Sequence, residues 1–204
     1  MNLEEIKKRM KNGGIYFSHD EELMKIQLKC LELLYDFNET RPSQLEKRQE
    51  LLKQMFAEIG KDCYIEPPLR ANWGGRHVHF GNGVYANFNL TLVDDTDIFV
   101  GDNVMFAPNV VVAGATHPIS PTLRAKKGQY NLPVKIENNV WIGASTVILP
   151  GVTIGENSVI GAGSIVTKDI PANVVAVGNP CKVLREITEE DLKYYNKGRL
   201  IDVE

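Results

Sequence analysis

His117 is the residue whose type and position point most directly to chemistry in this sequence. It stands beside a proline in the stretch 113–133, where an otherwise regular repeat is interrupted. Imidazole titrates near neutral pH, so it can act as a general base, and it is also a common metal ligand. His77 and His79 have the two-residue spacing that puts both rings on one face of a strand. The histidines alone leave three roles open for His117: a general base, one of three zinc ligands, or a structural side chain.

The chain on both sides of this interruption repeats with a period of six residues. Inward-facing aliphatic positions are predicted at 136, 142, 148, 154, 160 and 166, and the same register extends backwards to Val112, Phe106 and Val100. This hexapeptide pattern is typical of a parallel β-helix, in which three hexads make one coil and Gly or Asn occupies the corners at positive φ. Residues 61–98 follow the step loosely and are predicted to form irregular early coils. The predicted fold class is therefore mainly β.

The remaining segments predict helices at the two ends of the coil. Residues 1–60 carry apolar side chains at three- and four-residue spacing, and a second helix there is predicted to open with a capping box of Ser43 and Glu46 and to stop at Gly60. This helical cap should cover the open N-terminal strand edges of the coil. The predicted domains are the cap (1–60), the β-helix (61–184) with an external loop (113–133), and a C-terminal helical tail (185–204) opened by the capping pair Thr188 and Asp191.

Composition narrows the classes of function. The chain has 204 residues, 43% of them hydrophobic, and a formal net charge of −3, so it can form a core and has no basic field for a nucleic-acid backbone. It has no run of about 18 apolar residues and no apolar segment like a signal peptide at its N-terminus, which predicts a cytoplasmic protein without membrane or nucleic-acid partners. Its widely spaced cysteines, Cys30, Cys63 and Cys181, are predicted to be reduced thiols. None lies near His117 in sequence, which disfavours a covalent cysteine mechanism.

An ordered set of short motifs extends over nearly the whole chain, helical cap included. Together they resemble the galactoside/maltose O-acetyltransferase family of hexapeptide-repeat acyltransferases. The set is specific, whereas a single hexad would not be. The motifs are Glu66-Pro67-Pro68, Tyr85-Ala-Asn87-Phe-Asn-Leu, Val93-Asp-Asp95, Thr116-His117-Pro118, Asn138-Asn-Val-Trp141-Ile-Gly143, Pro150-Gly-Val-Thr-Ile-Gly, Val166-Thr-Lys168-Asp and Gly178-Asn-Pro180.

The resemblance implies a left-handed coil and an enzyme that moves acetyl from acetyl-coenzyme A to a sugar hydroxyl. The expected acceptor is the 6-hydroxyl of a neutral pyranoside such as maltose, glucose or a galactoside, reached by direct transfer in a ternary complex. A sugar hydroxyl is a poor nucleophile, so a base must remove its proton during the attack, and His117 is the expected base. The resemblance also implies a homotrimer, coenzyme A lying between coils of adjacent subunits, and no metal.

The resemblance assigns further residues to the site. Asn87 joins His117 as a catalytic residue, and either Asn87 or Asp95 is expected to hold the imidazole. The backbone N–H groups of Gly143 and Ala144 are the candidate donors to the oxyanion. The expected acceptor-side residues are Asp20, Asn72, Asn87, Asp95, Gln129 and Trp141, of which Asn72 and Gln129 occupy positions that vary in the family. The expected coenzyme A residues are Gly143, Ala144, Ala162, Thr167, Lys168, Lys182 and Arg185.

Two other functions fit parts of the sequence. One is a metalloenzyme like the gamma-class carbonic anhydrases, with zinc bound by His77, His79 and His117. That site would leave Asn87 and Trp141 without a role. The other is a trimeric scaffold without catalytic activity, for which the long loop carrying His117 has no use.

Overall fold

A helical cap forms the N-terminal part of the chain in the computed structural model, which describes residues 1–203. Its elements are α1 (Leu3–Asn12), β1 (Tyr16–Phe17), α2 (Glu21–Asn38) and α3 (Leu45–Met55). α1 was not predicted. Its N-cap is Asn2, whose side chain accepts a hydrogen bond from the backbone of the first turn.

The ends of α3 differ from the prediction. Its N-cap is Gln44, which makes no side-chain capping bond, so the predicted capping box does not form. The helix ends at Met55 rather than at Gly60, because the chain then enters the first strand of the coil, β2 (Glu58–Ile59). The coil therefore begins inside the segment that the sequence assigned to the cap.

Short strands make up the coil, most of them two or three residues long. One excursion, from β11 through β12, interrupts their succession. After β2, the elements in chain order are β3 (Tyr64–Ile65), β4 (Arg70–Ala71), β5 (Val78–Phe80), β6 (Tyr85–Ala86), β7 (Thr91–Val93), β8 (Ile98–Val100), β9 (Met105–Phe106), β10 (Val111–Ala113), β11 (Ala115–Thr116), α4 (Pro121–Ala125), β12 (Gly128–Asn131), β13 (Val134–Ile136), β14 (Trp141–Ile142), β15 (Val147–Ile148), β16 (Thr153–Ile154), β17 (Val159–Ile160), β18 (Ile165–Val166), β19 (Val174–Val177) and β20 (Lys182–Glu186).

Parallel pairing sorts the coil strands into three faces. Face 1 contains β2, β5, β8, β13 and β16; face 2 contains β3, β6, β9, β14, β17 and β19; face 3 contains β4, β7, β10, β15 and β18. Ile136 pairs with Ile154 and Ile142 pairs with Ile160, so each residue meets its equivalent one coil later. The predicted fold class, a parallel β-helix of hexapeptide repeats under a helical cap, is confirmed.

The core of the coil is a stack of inward-pointing side chains, as the hexads predict. Phe106, Ile142 and Ile160, successive residues of face 2, are fully buried. Asparagines fill the corner between faces 1 and 2 at positive φ, and their amides form a ladder: Nδ2 of Asn139 donates to Oδ1 of Asn157 at 3.0 Å. The ladder links exposed asparagine side chains of successive coils along this corner.

Residues 61–98 form coils whose inward positions keep their faces, and the irregularity that the sequence predicts there consists of extra residues at one corner only. This is the corner where the chain passes from face 3 to face 1, here called corner 3/1. The step across it is six residues from Ile148 to Ile154, but nine from Ala71 to Phe80 and eight from Leu92 to Val100. The register within the faces is kept because all the additional residues project outwards at this corner.

The predicted external loop, 113–133, is the largest insertion at corner 3/1, and it is structured. β11 and β12 pair as an antiparallel hairpin with α4 between them, and β1 of the cap adds to the other edge of β12. The loop and the helical cap therefore share one three-stranded sheet.

The C-terminal tail is less helical than predicted. β20 pairs antiparallel with β19 and covers the end of face 2. Thr188 and Asp191 do form the expected capping box, but it opens only a 3-10 turn, Glu189–Leu192. A hairpin of β21 (Tyr194–Tyr195) and β22 (Arg199–Leu200) follows, because its turn residues adopt positive φ. None of the helices in residues 1–203 combines the length and the apolar character that crossing a bilayer requires.

Candidate active site

His117 leaves the coil directly after β11 and is held by the loop itself. Its Nδ1 lies 2.8 Å from the carbonyl oxygen of Gly128, the first residue of β12. A carbonyl oxygen can only accept, so Nδ1 carries the hydrogen, and the Nε2 of a neutral ring then carries a free lone pair. The expectation that Asn87 or Asp95 holds the ring is wrong within one chain, since neither is hydrogen-bonded to it in residues 1–203. The arrangement presents Nε2 as a base.

Asp95 lies at the same corner, between β7 and β8, and is only 6% exposed. Its carboxylate accepts hydrogen bonds from Nδ2 of Asn72 at 2.7 Å, from Nε2 of Gln129 at 3.0 Å and from Nε1 of Trp73 at 3.3 Å. Three neutral donors thus compensate its burial, and no cation pairs with it among the described residues. Three of the expected acceptor-side residues, Asp95, Asn72 and Gln129, form this one cluster.

Asp94, the preceding residue, is a second buried carboxyl at corner 3/1. It accepts from the backbone N–H of Trp73 at 2.6 Å and of Gly75 at 2.9 Å, and it thereby shapes the turn between β4 and β5. Burial raises its pKa to about 6, and the neighbouring Asp95 charge adds to the rise. Asp94 therefore acts on the fold of the corner, while Asp95 faces the cleft beside it.

A cleft of about 360 Å³ opens between this cluster, the cap and the loop. Its floor is the Asp95 cluster, and its walls come from the cap and from β12. Asp20 is not among the residues that line it: Oδ1 of Asp20 caps α2 by accepting from Leu23 N–H at 3.0 Å. The lining residues are Tyr16, Ser18, His19, Leu23, Met24, Gln27, Asn72, Trp73, Asp95, Lys127 and Gln129.

The other predicted residues near the reaction lie on face 2 or at the corner where the chain passes from face 2 to face 3, here called corner 2/3. Asn87 follows β6, and its Oδ1 accepts from Phe88 N–H at 2.8 Å. Trp141 is half exposed on the outer side of face 2, in register with Met105. Face 3 separates both residues from His117 within one chain.

Corner 2/3 also carries the candidate oxyanion donors, and only one of the two is free. The N–H of Gly143 donates to Ile160 O at 2.7 Å, so it belongs to the coil and is not available, contrary to the expectation. A side chain at this glycine would place Cβ 2.5 Å from Ala162 N, so the close stacking of coils requires glycine here. The N–H of Ala144 has no acceptor in residues 1–203.

The residues expected to bind coenzyme A fall into three groups. Ala144 and Ala162 occupy corner 2/3 in successive coils, and Lys182 starts β20 near the end of that corner. Thr167 and Lys168 are exposed at corner 3/1 after β18. Arg185 stands apart because its guanidinium makes a bidentate pair with Asp191, both bonds 2.7 Å. The Arg185 guanidinium holds the pKa of Asp191 at about 2, so that ion pair is formed across the neutral pH range.

The three histidines of the zinc alternative do not come together. Nδ1 of His77 donates to Asp94 O at 2.7 Å, and Nε2 of His79 lies 3.0 Å from Oδ1 of Asp97. His117 is held by the loop. Within the described part of the chain, no group of three or more His, Cys, Asp or Glu side chains could hold a metal ion.

Three site residues were missed by reasoning from side-chain types: Gly128, Trp73 and Tyr16. Gly128 acts through its backbone carbonyl, which no side-chain pattern reveals. Trp73 and Tyr16 are buried aromatics that also carry a polar atom, and such an atom needs a partner. One feature of the sequence could have pointed to Trp73: the number of residues across corner 3/1 is larger than six in the turn that contains it.

Two family models match the chain. One, described as the maltose acetyltransferase hexapeptide capping motif, matches residues 9–60. The other, described as bacterial transferase hexapeptide (six repeats), matches residues 133–168.

Two curated relatives match over nearly their whole length. A galactoside O-acetyltransferase of Lactococcus lactis subsp. lactis (strain IL1403) is 59% identical over 197 residues, which cover 97% of this chain and 95% of the relative. A galactoside O-acetyltransferase of Escherichia coli (strain K12) is 50% identical over 194 residues, 95% of each chain.

Solved structures agree with these relatives. A galactoside acetyltransferase in complex with coenzyme A has a TM-score of 0.93 and 47% identity, covering 97% of this chain and 98% of its own. A maltose O-acetyltransferase from Clostridium difficile 630 has a TM-score of 0.87 and 46% identity, covering 90% of this chain and 97% of its own.

Proposed function

The chain belongs to the galactoside/maltose O-acetyltransferase family, and from its site we propose that it acetylates the 6-hydroxyl of a neutral pyranoside with His117 as the base. Acetyl-coenzyme A is the co-substrate of this sugar O-acetyltransferase. One observation carries the proposal: the Nδ1 of His117 donates to Gly128 O, so in the neutral ring Nε2 is the nitrogen with the free lone pair.

In the proposed mechanism, Nε2 of His117 accepts the proton of the sugar hydroxyl as the hydroxyl oxygen attacks the thioester carbonyl carbon. The carbon–sulfur bond then breaks, and the imidazolium returns the proton to the departing thiolate. Gly128 O stabilises the positive ring through its bond from Nδ1 and keeps the ring in one orientation throughout. Atoms and charges balance without a metal or a covalent enzyme intermediate.

We assign the oxyanion contact to the N–H of Ala144. It is a backbone donor without an acceptor in the described chain, so it requires no reorganisation when negative charge develops on the carbonyl oxygen. Asn87 lies at the same corner and can orient the reacting groups.

These groups meet His117 only if two chains share a site. His117 and Asp95 lie at corner 3/1, while Asn87 and Ala144 lie at corner 2/3 and Trp141 lies on face 2, so face 3 stands between the two groups. Three copies related by a threefold axis bring corner 3/1 of one chain against corner 2/3 of the next and form three equivalent sites. The exposed apolar side chains of face 2 support burial of this face between copies: Tyr64, Tyr85, Met105 and Trp141. We therefore propose a homotrimer.

Lys168 and Lys182 are the proposed contacts for the phosphates of coenzyme A. Both are exposed and form no ion pair within residues 1–203, so both charges are available to a ligand. Arg185 is the weaker candidate for such a contact, because Asp191 already pairs with its guanidinium.

The acceptor is tested by an acetyl-transfer screen with glucose, maltose, galactosides, amino sugars and sialic acid. The released thiol of coenzyme A reports turnover, and mapping of the product identifies the acetylated hydroxyl. We expect neutral pyranosides to be acetylated at the 6-position with higher kcat/KM than sialic acid, because the cleft floor carries the Asp95 carboxylate. Selective turnover of sialic acid would contradict the neutral-pyranoside proposal.

A further inference from the structure

A chain of hydrogen bonds runs from the helical cap to the floor of the cleft, and the direction of every bond in it is fixed. It starts at two backbone carbonyls, Met10 O and Asp95 O. Both accept from Nδ2 of Asn131 at 3.0 Å, so both amide hydrogens of Asn131 are used and its Oδ1 must accept. The donor to this Oδ1 is the hydroxyl of Tyr16 at 3.2 Å.

The orientation of the Gln129 amide is fixed in the same way. Since Tyr16 spends its hydroxyl hydrogen on Asn131, its oxygen can only accept, and it accepts from Nε2 of Gln129. The second hydrogen of this Nε2 goes to Oδ1 of Asp95 at 3.0 Å. Both donors of the Gln129 amide are therefore committed, and its Oε1 has no partner in the described chain. Tyr16 is buried, and burial together with the Asp95 charge raises the pKa of its phenol, so the hydroxyl stays protonated.

We propose that Tyr16 is a positioning residue for acceptor recognition: its hydroxyl fixes the Gln129 amide with Oε1 toward the cleft, where it selects a sugar hydroxyl as a donor. Gln129 is half-buried and lines the cleft. This inference rests on the proposed function and assigns one polar contact within it.

The other side-chain donors on the floor are partly committed to Asp95. Asn72 donates one Nδ2 hydrogen to Oδ2 of Asp95 and Trp73 donates its Nε1 to Oδ1, while the second Nδ2 hydrogen of Asn72 has no acceptor in residues 1–203. At Gln129, in contrast, the floor offers only an acceptor atom to the cleft. A ligand group placed there must bring its own hydrogen, as a hydroxyl does and a carboxylate or an ether oxygen does not.

The experiment combines protein variants with singly deoxygenated forms of the best acceptor from the screen. Wild-type enzyme should show one hydroxyl, other than the acetylated one, whose removal lowers kcat/KM by about tenfold to a hundredfold, because Oε1 then stays unpaired. Q129M keeps the length of the side chain without the amide, and in this variant the penalty for the same deoxy sugar should fall to about twofold or less. KM for acetyl-coenzyme A should not change.

Tyr16→Phe tests the positioning role and Tyr130→Phe is its control. Tyr130 is the neighbour of Gln129 on β12, and its hydroxyl has no hydrogen-bond partner in residues 1–203. Tyr16→Phe should raise the acceptor KM by about fivefold to twentyfold and shrink the same deoxy penalty, while Tyr130→Phe should leave both as in the wild type. A Tyr16→Phe variant that fails to fold would show that the hydroxyl is needed for the fold and would overturn a role limited to positioning, and Q129M then decides the Gln129 contact alone.

The outcomes distinguish the role of Gln129, the role of Tyr16 and the proposed function. Equal deoxy penalties in the wild type and Q129M would overturn the role of Gln129. A Tyr16→Phe variant that folds and matches Tyr130→Phe would overturn the role of Tyr16. Absence of turnover by the wild type on every sugar would instead overturn the proposed function, and this inference with it.

Discussion

The His117 ring and the Gly128 carbonyl oxygen are joined at 2.8 Å, and Gly128 lies on the strand that also pairs with the helical cap at Phe17. The ring of the proposed base is thus oriented by backbone whose position depends on the packing of the cap against the loop. A side chain at Gly128 would place Cβ 3.2 Å from Leu123 O and 3.3 Å from the Phe17 ring. Glycine allows the loop, the cap and the base to fit together.

Replacement of His117 by alanine should lower kcat by about two to four orders of magnitude, the usual contribution of a positioned base. The oligomeric mass and the affinity for coenzyme A should stay as in the wild type, because the ring is exposed and its one partner is a backbone carbonyl. His79→Gln on face 1 is the control and should retain turnover. Loss of activity in the control variant, restored by zinc, would favour the metalloenzyme alternative.

A site shared between neighbouring chains predicts complementation between two inactive variants. His117→Ala damages corner 3/1 and Asn87→Ala damages corner 2/3. Trimers refolded from equal amounts should regain about a quarter of the wild-type sites, since about three quarters of them are mixed and each mixed trimer has one of its three interfaces with both halves intact. Turnover of the mixture is compared with that of each variant refolded alone. No gain on mixing, with mixed trimers shown by mass, would place both residues in one chain's site.

Lys168→Ala and Lys182→Ala should each raise KM for acetyl-coenzyme A by about threefold to thirtyfold and leave the acceptor KM nearly unchanged. A phosphate contact far from the thioester contributes mainly uniform binding. Arg185→Ala should have a smaller effect because Asp191 already pairs with this guanidinium. Lys61→Ala, the same charge change at the opposite end of the coil, serves as the control. If Arg185→Ala raised KM for acetyl-coenzyme A more than either lysine variant, this assignment would be reversed.

Asp94 should make the protein less stable as pH rises from about 4 to about 6. Its pKa is near 3.8 unfolded and about 6 when buried in the fold. Between these values the folded state holds the proton that the unfolded state has released, so the free energy of unfolding falls with pH, by about 3 kcal/mol for this group. Urea unfolding of the wild type and D94N at pH 4.5 and pH 7.5 measures the contribution of Asp94 to the free energy of unfolding at each pH. The difference in stability between the two proteins should shift in favour of D94N at the higher pH; a pH-independent difference would contradict the prediction.

The hexads predicted the coil because inward positions must be aliphatic and corners must accept positive φ, and both demands are visible in residue types. They did not predict the regular pairing of residues 61–98, since insertions at one corner mimic a loss of register in the linear sequence. The site was harder to predict from the sequence than the coil. Gly143 and Gly128 act through backbone groups, and the pairing of Arg185 with Asp191 depends on a tail without periodicity.

The number of strands along face 3 fixes the axial distance between two positions on that face. β10 precedes the loop that holds His117, β18 precedes Lys168, and only β15 lies between them. The two coils are therefore two strand spacings apart, about 10 Å along the axis. Inserting one further turn of the coil would lengthen that interval by about 4.8 Å and leave every inward side chain on its own face. On the proposed roles of His117 and Lys168, the number of turns alone would set the length of carrier arm that such a chain accepts.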